Sequence, residues 1–196
     1  MAKPLPRPDP PLADEAVRLR PIEPSDAADI HAACQDPLIA HFIPIPQPYR
    51  MTDAEAFAGA TSRAWDEGVA ANFAILDRAD GRFLGVVTLH VGWPRRAMVG
   101  YWLAPWGRGR GIMTRAVRLL AAWSIPTFDL VRLSLYTLDD NLSSQRVAER
   151  AGFTREGVLR AYADRLGQPR DCVMFSLLPA DLAAERRADL PEEPVK

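Results

Sequence analysis

The residues with the clearest chemical potential run from position 100 to position 114, as Gly100-Tyr101-Trp102-Leu103-Ala104-Pro105-Trp106-Gly107-Arg108-Gly109-Arg110-Gly111-Ile112-Met113-Thr114. After Pro105, glycines alternate with arginines. From Ile112 the apolar positions Ile112, Ala116, Leu119, Leu120 and Trp123 take up helical spacing, so a strand and a glycine-rich turn open into an amphipathic helix. The first turn of a helix leaves backbone N–H groups without partners and carries the positive end of the dipole. Gly109 and Gly111 let that backbone approach an anion with no Cβ in the way, and Arg108 and Arg110 add charge, so the turn suits phosphate oxygens. The plain alternative is a tight strand-to-helix turn with no ligand.

Spacing narrows the choice of phosphate. A nucleoside-triphosphate loop ends in Gly-Lys-Ser/Thr, and no such tripeptide follows. A dinucleotide fingerprint needs a glycine three residues after the second one, whereas Gly107/Gly109 leads to Ile112 and Gly109/Gly111 leads to Thr114. Other polar and aromatic residues compete for site roles. Asp139-Asp140-Asn141-Leu142-Ser143-Ser144 is a turn rich in capping residues, and its acids, Asn141 and Ser144 have a structural reading as turn and caps. His90 lies in a strand, where it could relay a proton or serve structure alone. Tyr101, Trp102 and Trp106 could wall an acceptor pocket or fill core. Phe42, Tyr49 and Trp93 fall in or beside irregular segments, where acceptor contacts concentrate, and are the substrate-binding candidates.

The elements that must position these residues can be read in order. Residues 1–15 carry Pro4, Pro6, Pro8, Pro10 and Pro11 and read as a flexible, extended arm; residues 16–179 form the domain, and 180–196 a charged tail, helical at best and fraying at Pro191. Residues 17–20 alternate as a first strand ended by Pro21. A short helix capped by Ser25 or Asp26 runs to Cys34 and is stopped by Asp36-Pro37. Residues 38–50, apolar but broken by Pro44, Pro46 and Pro48, suit neither helix nor central strand and read as an ordered loop with exposed apolar surface. Thr52 with Glu55 is a capping box that starts a helix to about residue 67.

Strand signals follow at 72–77, 83–93 and 97–103, joined by Asp80-Gly81 and Pro94-Arg95-Arg96; such short links make them antiparallel. The helix over 109–124, stopped by Pro126, leads to a strand at 131–137, and this crossover makes the strands flanking the helix parallel. A helix closed by Gly152 and two strands at about 154–165 and 168–178, joined at Leu166-Gly167, complete the domain.

Composition fits one globular domain: 196 residues, 48% hydrophobic and 25% charged. The formal net charge of −1 gives no electrostatic case for nucleic acid or an anionic membrane. Locally, residues 105–170 hold eleven arginines against six acids, which suits a phosphorylated cosubstrate or simply an arginine-rich surface. Cys34 and Cys172 have no metal-type spacing and are too few for a disulfide framework, so no metal and a reducing cytoplasm are expected. No apolar run approaches the roughly 18 residues a membrane span needs, and the start has no signal-peptide pattern.

Arg108-x-x-Gly111-x-Met113 resembles the Arg/Gln-x-x-Gly-x-Gly/Ala motif with which GNAT-superfamily N-acetyltransferases hold the pyrophosphate of acetyl-CoA, with Met113 where a small residue is usual. Asn141-x-x-Ser144-x-x-Val147-x-x-x-Ala151-Gly152-Phe153 is similar to the closing motif of that superfamily, in its branch acting on ribosomal-protein N termini. Gly100-Tyr101-Trp102-Leu103-Ala104-Pro105, and Asp36-Pro37 through Pro48-Tyr49 with Asp53-Ala54-Glu55-Ala56-Phe57, resemble two further blocks of that branch; together the four cover about residues 17–178.

The resemblance implies a single α/β (α+β) domain whose mixed, mostly antiparallel sheet is flanked by helices and splayed in the middle. The splay falls where the strands ending near Leu103 and beginning near Val131 part to admit pantetheine. It implies acetyl-CoA as donor, an amine as acceptor, and donor contacts at Tyr101, Trp102, Leu103, Arg108, Gly109, Arg110, Gly111, Ile112, Met113, Thr114, Asn141 and Ser144. Asn141 would bond pantetheine or acceptor, and Ser144 would give a proton to the leaving sulfur. Where this branch frequently has a glutamate base, this chain has Met98, which cannot take a proton. Three functions stay open: acetylation of a protein or peptide α-amine, acetylation of a small-molecule amine such as an antibiotic, and a catalytically silent CoA-binding module. The acyl chain length and a monomeric or homodimeric state are open too.

Overall fold

Strand alternation and short turns organise the chain into the sheet that positions everything else. The structure, a computed structural model, describes residues 3–165 and 167–188. Within them seven strands form one sheet in the order β1-β2-β3-β4-β5-β7-β6. They are β1 (Val17–Pro21), β2 (Ala70–Asp77), β3 (Phe83–Trp93), β4 (Arg96–Leu103), β5 (Arg132–Leu138), β6 (Thr154–Arg165) and β7 (Gln168–Leu177). Every neighbouring pair is antiparallel except β4 with β5, whose parallel pairing follows from the crossover through the intervening helix. That pairing stops after Arg96–Arg132, Ala97–Leu133 and Met98–Ser134. Beyond Met98 the two strands diverge, which is the expected central splay.

Helices α1 (Ala27–Ala33), α2 (Pro37–Phe42) and α3 (Met51–Asp66) cover one face, α4 (Ile112–Thr127) and α5 (Leu142–Arg150) the other, and α6 (Pro179–Ala188) follows the last strand. The main core lies under α4, where Ile112, Ala116 and Leu120 meet Phe73, Val87, Leu89 and Leu133. A second core lies under α1 and α3, where Ile30, Ala54 and Ala58 meet Ala74, Leu76 and Val86.

Several local expectations are corrected. Residues 37–42 are helical: Asp36 does end the preceding helix, but its carboxylate then accepts from the amides of Leu38 (2.7 Å) and Ile39 (3.2 Å), with Pro37 at the first helical position. Helix α3 begins at Met51 through Asp53, whose carboxylate accepts the Arg50 amide at 2.8 Å, so the Thr52/Glu55 box is not the cap. Pro126 sits inside the last turn of α4 rather than beyond it. The proline-rich arm touches the domain: the Leu5 amide donates to the Trp65 carbonyl, Arg7 lies over the Trp65 ring, and Asp14 and Glu15 pair with Arg115. Pro191 lies outside the described residues. No described helix is long and apolar enough to cross a membrane.

The first residues of β5 are held by a charged cluster. Arg132 forms a two-pronged pair with Glu156 and donates to the Ser134 hydroxyl, while Ser176 donates to Glu156 at 2.8 Å. These hydrogen bonds hold the Glu156 carboxyl at about 2, against an ordinary 4.5. A folded value below the unfolded one means that the cluster stabilises fully above pH 4.5 and is lost as pH falls toward 2. Because Glu156 is more than a third exposed, solvent screening limits its worth to about 1 kcal/mol. Glu156→Gln is therefore expected to cost about 1 kcal/mol in urea unfolding at pH 7, with the gap to the parent narrowing as unfolding is repeated toward pH 2; a gap that does not change with pH would mean the carboxylate charge is not what holds β5.

Candidate functional site

The splay opens a cleft of about 1200 Å³ between β4 and β5 that reaches the face covered by α1–α3 and is bordered near the glycine-rich turn by Arg108 and Met113; Gly111 and Thr114 border a separate hollow with Arg115. At the turn, Gly109 (φ 78°) and Gly111 (φ 72°) adopt the left-handed backbone, Gly111 as the residue before α4. Space beside both is open, since a Cβ at either would meet nothing within 4 Å. The first amide of the helix to bond back is that of Arg115, to the Gly111 carbonyl at 3.2 Å, which leaves the amides of Ile112, Met113 and Thr114 as the donors of the first turn. The side chains of Ile112 and Met113 are buried below, so the turn accommodates the larger Met113 inward.

The two motif arginines are tied to the protein. Arg108 donates to Asp36 (3.0 Å) and to the Leu103 carbonyl (3.2 Å), joining the turn to the cap of α2 and the end of β4. Burial pushes the Asp36 carboxyl up, but the hydrogen bonds from Arg108 and from the Leu38 and Ile39 amides, with the Arg108 charge, outweigh it and hold the group below its usual value. Arg110 pairs with Asp77 at 2.7 Å. Both are more than a third exposed or nearly so, and contribute positive potential at the turn while the backbone offers the aimed donors.

Across the splay, Asn141 precedes α5 and its side-chain oxygen accepts the Ser144 amide at 3.1 Å. The Tyr101 hydroxyl reaches over from β4, donating to the Ser144 carbonyl at 3.2 Å and lying 2.9 Å from the Ser144 hydroxyl. Burial pushes the Tyr101 phenol up, so it stays protonated and available as a donor. Tyr101, Asn141 and Ser144 thus meet on one side of the cleft. Trp102, next along β4, points to the opposite face, 6.0 Å from the Phe83 ring, and lines the cleft beside the acceptor candidates rather than beside Tyr101.

Phe42 and Tyr49 line that same face. Phe42 is half-buried, whereas Tyr49 is 8% exposed, with its hydroxyl on the buried Cys34 thiol, so it supports the wall more than it presents a surface. The Trp93 side chain lies outside the described residues. Arg165 donates to the carbonyls of Ala40, His41 and Ile43, and Arg170 binds Asp140, which in turn meets His41 at 3.3 Å. These contacts fasten α2 across the cleft, and they account for Asp139 and Asp140 as structural groups. The floor of the acceptor face holds Asn72, Thr88, His90 and Met98; Thr88 donates to Asn72 at 2.9 Å. From sequence His90 is a possible proton relay that is left out of the site, because a lone strand histidine more often serves structure; the structure places it on the cleft wall. Among the described residues no group of three or more metal-ligating side chains converges.

A model of the "Acetyltransferase (GNAT) domain" matches residues 16–154. Two Bacillus subtilis proteins are 34% identical: YjcK, named a probable N-acetyltransferase, over 113 residues (56% of this chain, 62% of that one), and YdaF, named a candidate ribosomal N-acetyltransferase, over 111 residues (55% and 60%). The match thus spans about three-fifths of each relative's length. Among solved structures, RimL, a ribosomal-protein alpha-N-acetyltransferase in complex with coenzyme A, superposes with a TM-score of 0.77 at 22% identity, covering 86% of this chain and 96% of that one, a likeness of fold.

A ligand diphosphate seated on the first-turn amides depends on the left-handed Gly111, where a β-branched residue adds about 1–3 kcal/mol of strain. Gly111→Val is expected to weaken coenzyme A binding about tenfold or more, and Arg110→Ala only a few-fold, in calorimetry on variants whose melting shows them folded. The opposite order would mean that arginine charge, not the backbone, holds the ligand.

Proposed function

The chain belongs to the GNAT acetyltransferases, and from that premise we propose that it moves an acetyl group from acetyl-CoA to the α-amine of a protein or peptide N terminus by direct attack on the thioester. The observation that carries this reading is the cleft through the sheet: Ser144, with Arg108 and Met113 next to the phosphate-type turn, and the apolar residues Phe42, Ile43 and Ile45 line it, with the parted β4 and β5 between. The relative named for ribosomal N-acetylation and the coenzyme A complex of RimL support the donor and acceptor classes. Two free, buried cysteines support a cytoplasmic setting.

Magnitudes favour an α-amine. Reaching the neutral amine at pH 7 costs about 1 kcal/mol for an α-amine of pKa about 7.8, and about 4.6 kcal/mol for a lysine of pKa about 10.4. The amine nitrogen adds to the thioester carbonyl and gives up one N–H proton to water, the C–S bond breaks, and the thiolate takes a proton through the Ser144 hydroxyl, which Tyr101 orients and which regains its proton from that water. A thiol like cysteine's, of pKa about 8.5, leaves readily, so the proton donor is helpful rather than indispensable. Most of the acceleration comes from holding amine and thioester together, an effect worth several kcal/mol, and from backbone amides polarising the carbonyl along the β4 edge.

Ser144→Ala is expected to lower kcat by about 10- to 100-fold while coenzyme A affinity is retained, followed by thiol release with peptides as acceptors. Efficient acetylation of free lysine side chains at pH 7 would contradict an α-amine enzyme, and preference for a small non-peptide amine would move the acceptor class. On the acceptor face, Phe42→Ala is expected to raise the amine KM several-fold with coenzyme A affinity nearly unchanged; equal effects on both ligands would show that Phe42 serves the fold.

A further inference from the structure

We infer that His90 is the general base of this acetyl transfer, taking the proton from the acceptor amine at the point where the sheet opens. The inference rests on the acetyltransferase reading above. Strand β3 carries a register shift between Val91 and Trp93, and as a result His90 stands directly opposite Met98. Met98 is in turn the last β4 residue paired to β5, opposite Ser134. His90 therefore marks, from the neighbouring strand, the apex from which the two strands part. Its imidazole extends along the acceptor face toward the first residues of the open edge: a Cβ built on Gly100 would lie 3.2 Å from the His90 Nε2. Gly100, by lacking that carbon, leaves the ring its place.

The chemistry of the surroundings suits a base. His90 lines the cleft and is open to it, and neither ring nitrogen has a hydrogen-bond partner among the described residues. Met98 beside it offers no proton acceptor, and the Asn72 and Thr88 side chains on the same face bond each other. Partial desolvation by the cleft walls lowers the imidazole below its ordinary value, although the residue stays solvent-exposed, and no charged group adds to that shift. The ring is then neutral at pH 7 and ready to accept a proton. The titratable and charged groups that share the cleft with it are Asp53 on α3, Cys34 after α1, Tyr49, Tyr101 on β4, Arg108 at the turn, Tyr136 on β5, and Tyr162, Asp164 and Arg165 on β6. Asp53 is engaged in capping α3, and Asp164 accepts the Gly167 amide.

In the step, a lone pair of the amine forms the N–C bond to the thioester carbonyl carbon while one N–H proton passes to His90. The C–S bond then breaks, and the sulfur leaves as coenzyme A thiol with the proton supplied on the Ser144 side. The imidazolium afterwards releases its proton to solvent, restoring the free base.

The test follows thiol release from acetyl-CoA with a panel of peptides carrying free α-amines, over pH 5.5–9, for the parent protein, His90→Gln and Gly100→Ala. Parent turnover establishes the reaction class; its absence with every amine overturns that reading and the base with it. Given turnover, His90→Gln is expected to lower kcat/KM by about 10²–10⁴-fold, to remove the acid limb that titrates below the acceptor's own pKa, and to leave coenzyme A affinity by calorimetry unchanged. Gly100→Ala, which keeps the imidazole but displaces it by a few tenths of an ångström, is expected to lower kcat by a smaller factor with the acid limb retained. A His90→Gln protein that binds coenzyme A and keeps parent kcat/KM, or keeps the parent pH profile at reduced rate, overturns the assignment.

Discussion

The structure turns on a sheet interrupted in its own middle. A strand pair that stops after three residues leaves backbone donors and acceptors facing one another across a gap in the middle of the sheet. The fold tolerates this because each half of the sheet is complete without the other: β4 is fully paired to β3 on its other side, and β5 to β7. The two halves are joined at the closed end by the three β4–β5 pairs and by the Val131 amide on the Arg95 carbonyl, and underneath, where α4 packs against strands of both halves. The opening is thus held by construction, and its two walls can be given different chemistry.

That division shows in how charge is spent. Arg108 and Arg110, which stand at the turn that would face phosphates, are bound to Asp36 and Asp77, and Arg165 and Arg170 fasten α2 across the acceptor side. Arginine here sets the shape of the cleft, and the directed donors are backbone amides presented by left-handed glycines. A planar guanidinium suits such work because one side chain can satisfy several carbonyls at once, as Arg165 does.

Much of this was legible in the chain. The glycine spacing of the turn, the strand-helix-strand crossover and the parting of β4 from β5 follow from local pattern and from resemblance, because short connections and a fixed crossover hand leave few topologies. What escaped has physical reasons. Residues 37–42 fold as a helix because Asp36 and Pro37 form a good start, but Pro44, Pro46 and Pro48 just beyond dominate any compositional reading of the segment. Two acids near the start of α3 have capping spacing, and only the geometry shows that Asp53, not Glu55, is used. Trp102 and Tyr101 are adjacent in sequence, yet strand alternation sends their side chains to opposite walls of one cleft.

His90 is the sharpest case. Alternation along β3 puts Val87 and Leu89 in the core under α4 and His90 on the other face with Val86 and Thr88. A regular hairpin closed by the Trp93–Arg96 pair would set His90 opposite Val99; the extra residue at Gly92 shifts the pairing so that Val91 meets Ala97 and His90 meets Met98. The bulge thereby brings a histidine of the cleft face level with the last β4 residue paired to β5. An imidazole in that place suits the proposed α-amine acceptor: a ring with a lowered proton affinity is a poor base for a lysine ammonium, whereas an α-amine, already part neutral near pH 7, asks only that the proton be received as the N–C bond forms. On that proposal, the register of one strand, the base and the acceptor class are a single constraint.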